Sequence, residues 1–137
     1  MALLLAASGS VSAGECVPQI RDAWVRMPPM PMPMMAGFAH IENPCKKDVV
    51  VVGATSAAFG EVDMHETTVV EGVSRMRPVP ELRIAAGKSA VLKPGSLHLM
   101  LMQPVANVSA NDKIAIDFKL SNGRTIRGDF VVRKAGE

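Results

Sequence analysis

Four donor side chains lie at long, definite spacings: His65, then ten intervening residues to Met76, then twenty-one to His98, then one to Met100. Two imidazoles and two thioethers offer four donor atoms and no negative charge. Thioether sulfur is soft and imidazole suits several borderline ions, so this set favours Cu(I) over Mg²⁺ or Ca²⁺, while Zn²⁺ prefers thiolate or carboxylate company. A neutral donor set leaves Cu(I) with one positive charge; Cu(II) would carry two, with no anionic partner. Thioethers do not titrate, so half the set stays competent in acid, although each histidine must be neutral to bind. They do oxidise, which exposes the site to sulfoxide formation.

The residues that are absent from this set narrow the chemistry further. A blue-copper electron-transfer centre needs a Cys thiolate beside two histidines, and Cys16 and Cys45 lie well away from the four donors in sequence. A hydrolytic zinc centre needs three strong ligands and an activated water. Three histidines in the whole chain, with no acid placed among them, do not supply it. Glu66 adjoins His65 but in a strand faces the other way. Taken singly, each of the four reads as core packing; taken together with both spacings they read as metal ligands, in a protein that holds copper and is not an enzyme.

At these residues the chain resembles the periplasmic copper chaperones of the PCuAC family, whose signature is His, ten residues, Met, twenty-one residues, then His-any-Met. His65, Met76, His98 and Met100 match it without a gap, and "HETTVVEGVSRMR", "IAAGKSAVLKPGSLHLML", "AWVR" and "AGFAHIEN" extend the resemblance from Trp24 to Phe130. The resemblance implies a cupredoxin-like β-barrel that binds Cu(I). It also implies delivery of copper to the CuA centre of cytochrome c oxidase subunit II, directly or with a Sco-type thiol protein. Family members often carry a His- and Met-bearing C-terminal tail that holds a second copper, and the "RKAGE" ending leads us to expect no such tail capacity. Three other readings stay open: a copper buffer without a dedicated acceptor, a metal-free β-sandwich interaction module, and an electron-transfer protein. The last needs a reversible Cu(II)/Cu(I) couple, which this ligand set disfavours.

The elements that must position these residues are strands. In "SLHLMLM" a β-strand sends Leu97, Leu99 and Leu101 to one face and His98, Met100 and Met102 to the other. Similar short, alternating or β-branched runs occur at 20–27, 37–43, 48–55, 62–70, 73–79, 89–93, 113–120 and 125–132, separated by Asn-Pro, Glu-Gly, Ala-Gly, Pro-Gly and Asn-Gly. No window carries a helical apolar stripe. About nine short strands predict an all-β, antiparallel Greek-key barrel or sandwich of the cupredoxin-like kind. With 137 residues, 48% hydrophobic and 20% charged, the chain suits one domain, placed at 14–137. A net charge of +2, and no basic run longer than Lys46-Lys47 or Arg133-Lys134, argue against nucleic acid as a partner. The expected state is a monomer, with a copper-bridged dimer open.

Residues 1–13 read as the end of a secretory signal peptide, with Val11-Ser12-Ala13 as the small-residue cleavage pattern and an apolar run too short to span a bilayer. This predicts export to the periplasm. Glu15 before Cys16 departs from lipoprotein processing, so Cys16 is not read as a lipid anchor. In an exported chain Cys16 and Cys45 are expected to form a disulfide. Methionine is over-represented, ten of 137 against a usual share of about 2%. Five of the ten, Met27, Met30, Met32, Met34 and Met35, fall in "MPPMPMPMM". Polyproline geometry would align Met27 with Met30 and Met32 with Met35. The segment reads either as a thioether loop that captures Cu(I) or as an apolar cover for one barrel end. His40 is expected to be structural, Met102 to pack beside the site, and Met64 and Trp24 to lie in the core.

Overall fold

The computed structural model describes residues 16–28, 30 and 33–134. Ten strands are present among them: β1 (Gln19–Arg26), β2 (Met34–Glu42), β3 (Val49–Ser56), β4 (Phe59–Val70), β5 (Val73–Pro78), β6 (Leu82–Ile84), β7 (Ser89–Leu92), β8 (Leu97–Pro104), β9 (Lys113–Leu120) and β10 (Thr125–Arg133). Nine coincide with the expected runs. The tenth, β6, was not expected: it is three residues long and stands between Pro80 and the Ala85–Gly87 turn, too short for any alternation to register.

Seven strands close into a ring in the order β4, β8, β2, β1, β10, β9, β3 and back to β4, with β5, β6 and β7 appended to β4, β3 and β2. The ring is antiparallel, as expected, at every neighbouring pair but one: β1 and β10 pair parallel, with Trp24 opposite Val131. Strand direction cannot alternate all the way round a ring of odd number, so at least one neighbouring pair must run the same way. Here it is the first strand and the last.

The alternation that makes these segments strands also fills the barrel. Along β9 and β10 every second residue is buried, and Ile116, Phe118, Phe130 and Val132 meet Leu99 and Leu101 of β8 and Val25 of β1 in the interior. Met64 joins this core as expected, 4% exposed. Trp24 does not. Its ring lies outside the barrel, 4.8 Å from that of Phe38, with which it pairs in register. The Arg133 guanidinium stands 5.1 Å over Trp24, and that of Arg26 stands 5.2 Å over Phe38. Val25, the next residue along β1, takes the inward position instead.

Two other expectations change in the Met-Pro segment. Met34 and Met35 belong to β2 and not to a loop, and Met35 is a core residue, 9% exposed. Met32 and the signal-peptide reading of residues 1–13 lie outside the described residues. Cys16 and Cys45 are disulfide-bonded, as expected, tying the approach to β1 to the turn after β2. Buried Asn43 organises that turn: its amide donates to the carbonyls of Lys47 and Ile84, and its side-chain oxygen accepts from the Cys45 N–H.

Candidate metal centre

The spacing from His65 to Met76 is a hairpin measurement. β4 and β5 are joined by the two-residue turn Glu71-Gly72, with φ of 52° and 79°. Two successive left-handed residues make the type I′ turn that suits the twist of paired strands, and glycine makes the second position easy. Turn length fixes register, so Thr67 faces Met76 and His65 faces Pro78. Met76 therefore shares a face with His65, one pair along the ladder. β8 lies on the other side of β4, with His65 opposite His98 and Asp63 opposite Met100. The signature thus puts all four donors on one outer face of three adjacent strands, β5, β4 and β8.

The β7–β8 turn orients His98. Lys93-Pro94-Gly95-Ser96 is a type II turn, closed by the Ser96 N–H donating to the Lys93 carbonyl at 3.1 Å, with Pro94 and then Gly95 (φ 80°) at the central positions. The turn aims the Ser96 carbonyl at two donors, the Thr67 N–H at 3.1 Å and His98 Nδ1 at 2.8 Å. A carbonyl only accepts, so neutral His98 carries its proton on Nδ1 and keeps the Nε2 lone pair free. That is the tautomer and anchoring typical of a ligating histidine. Gly95→Ala meets no steric obstacle but forces a side chain into left-handed backbone. It is expected to cost about 1 kcal/mol in thermal unfolding and to weaken metal binding through the loosened His98.

His98 is 5% exposed, whereas Met76 is 53% exposed. The two imidazole rings stand 6.2 Å apart at 71°. His65 Nδ1 is a buried side-chain nitrogen with no hydrogen-bond partner, which is rare in native proteins and asks for a role. A cavity of about 450 Å³ opens in front of Met76, His98 and Met100, with Thr67 and Ala36 also in its wall; His65, opposite His98 in the ladder, is not among its lining residues. The donors are graded from buried histidine to exposed methionine, an arrangement that would offer a soft ion a firm seat at His98 and an open side at Met76.

The carboxylates nearest the donors are engaged with other side chains. Glu66 is held by Arg77 at 2.8 Å, on the reverse side of the hairpin. Sequence reasoning missed Asp63, which shares the outer face two residues before His65, opposite Met100; period-two alternation from His65 was the available signal. Asp63 is engaged with Glu61, whose carboxyl it holds above the ordinary range by a side-chain hydrogen bond and by like charge. Among the described residues no three of His, Cys, Asp and Glu gather as a metal site. His40 lies away from the centre, its Nδ1 3.6 Å from Asp22, and Met102 faces Glu61 and Met34 outside the cavity wall.

A family model described as "Putative lipoprotein LpqE-like" matches residues 18–132. A protein of Leifsonia xyli, "Putative lipoprotein Lxx21020", is 35% identical over 108 residues, 78% of this chain and 64% of the relative. An uncharacterized protein of Rickettsia prowazekii, RP573, is 32% identical over 61% of this chain and 46% of its own length. The chain thus spans only about half to two thirds of these relatives. Among solved structures, the apo PCuAC domain of PmoF1 superposes with a TM-score of 0.71 at 12% identity, covering 88% of this chain and 97% of that one. The Cu(I) form of DR1885 from Deinococcus radiodurans gives 0.69 at 25% identity, covering 92% and 85%. The copper-bound PCuAC domain of PmoF2 gives 0.69 at 15%, covering 84% and 91%. The barrel is a cupredoxin-like fold of the PCuAC kind.

Proposed function

Because this chain belongs to the LpqE-like family, that of the PCuAC domains, we propose that it is an exported Cu(I) carrier, with His65, Met76, His98 and Met100 as ligands of its cargo. The observation that carries this reading is the tautomer imposed on His98, whose Nε2 is left free on the same face as two thioethers and His65, whose buried Nδ1 has no hydrogen-bond partner. The Cu(I) form of DR1885, 25% identical across most of the chain, supports the choice of ion. The protein binds, holds and releases the metal without changing it, and no enzymatic step is assigned to it. The lipoprotein descriptions of its relatives support export, and the location proposed is the periplasm. Within this chain the Cys16 sulfur is taken up by the bond to Cys45.

The proposed acceptor is the CuA domain of cytochrome c oxidase subunit II, reached directly or with a Sco-type thiol protein. The open Met76 side supports handover, because ligand exchange proceeds one donor at a time when the acceptor's thiolates can approach the ion. The test mixes Cu(I)-loaded protein anaerobically with an apo CuA domain, with and without a reduced Sco-type protein, and follows the copper content of the separated partners. Copper should move faster than from a small Cu(I) chelate poised at the same free copper. Equal rates would favour a buffering role.

A further inference from the structure

Three thioethers outside the signature line the same cavity: Met27, just past the end of β1 and partly packed against the core, Met34, the first residue of β2, and Met35 beside it. In the β2–β8 ladder Met34 faces Met102 and Ala36 faces Met100, so Met34 and Met100 are diagonal neighbours on the outer face, a separation long side chains can bridge. Ala36 contributes only a methyl opposite Met100, and the room this leaves is part of the cavity. Met35 edges the cavity but is a core residue, 9% exposed, and is spoken for by packing. Met30, 69% exposed, lies in the connection between β1 and β2.

We infer that Met27, Met34 and Met100 form a second, weaker Cu(I) position in this cavity, an antechamber from which the ion passes to the signature site. The inference rests on the reading of His65, Met76, His98 and Met100 as that site. Met100 belongs to both positions, so the ion can move by ligand exchange: the Met27 and Met34 sulfurs leave as Met76, His98 Nε2 and the His65 imidazole bind. The copper stays Cu(I), and no proton moves, since thioethers carry none and each neutral imidazole already has an unprotonated ring nitrogen. Three neutral soft donors suit Cu(I). Arg26, whose guanidinium is in the same wall, opposes a resident cation there and favours transit over storage.

The test is an anaerobic titration with Ag(I), a redox-inert d¹⁰ stand-in for Cu(I), followed through the methionine methyl NMR signals and the His98 ring signals. The first equivalent should shift Met76, Met100 and His98; the second should shift Met27 and Met34 and move Met100 again. In the Met27→Leu/Met34→Leu protein, where volume and packing are nearly conserved, the second-equivalent response of Met100 should be lost while Met76 and His98 still respond to the first. Static Met27 and Met34 signals through two equivalents, with Met76 and His98 responding normally, would overturn the antechamber alone. A first equivalent that moves neither Met76 nor His98 would overturn the signature site and the antechamber with it.

Discussion

His98→Ala is expected to lower Cu(I) affinity by more than about a hundredfold, beyond the 10–100-fold typical when only a partner of a metal ligand is lost. His98 is the best-anchored donor of the four, buried and fixed by the Ser96 carbonyl, so removing it takes away the ligand whose ordering cost the fold has already met. The barrel should survive the change. The Ser96 carbonyl keeps the Thr67 N–H as a donor, so no polar group is orphaned. Met100→Ala removes a softer, more mobile donor and should weaken binding by less. His98→Gln gives a further check: an amide can still donate to Ser96 but offers no imidazole lone pair, so affinity should fall as it does for alanine. Anaerobic competition against a chromophoric Cu(I) chelator measures all three, and an unchanged affinity in His98→Ala would remove it from the ligand set.

The second large effect concerns stability and should leave copper alone. The Cys16–Cys45 bond closes a 29-residue separation, and the chain-entropy account of such a cross-link gives about 3.5 kcal/mol. Cys16→Ser/Cys45→Ser should therefore lower the midpoint of thermal unfolding by roughly 10 °C for a domain of this size. Neither cysteine lines the cavity, and the bond sits at the turn after β2, so the Cu(I) affinity of the folded variant should match that of the parent. A melting shift of only a degree or two would show that Asn43 and the strand ladders hold that turn without help. A loss of copper affinity would place the disulfide in the site's support.

Much of this architecture is legible in the sequence because two periodicities dominate it. Strict alternation in "KIAIDFKL" and "TIRGDFVV" specifies strands with one buried face, and both strands fall where alternation puts them. The ligand face is legible for the same reason: in "SLHLMLM" the leucines at 99 and 101 are fully buried, while His98, Met100 and Met102 take the other side. What alternation cannot convey is what covers an outer face. His98 is outward and yet buried, because the Ser96 turn and the hairpin wrap it. Trp24 is large and apolar, yet lies outside, where the Phe38 ring and the Arg133 guanidinium cover it. Nor does a one-dimensional pattern convey ring closure. The parallel β1–β10 pair follows from the number of strands in the barrel, a property of the whole chain. Met34 and Met35 look alike in sequence, but β2 separates them, Met34 to the outer face and Met35 to the core.

The most direct test of the central claim is X-ray absorption at the copper edge on protein loaded with one equivalent of Cu(I). Four ligands drawn from His65, Met76, His98 and Met100 predict a mixed first shell of two nitrogen and two sulfur scatterers, with an edge characteristic of the reduced ion. A shell of nitrogen alone, or of sulfur alone, would contradict the assignment of these four residues.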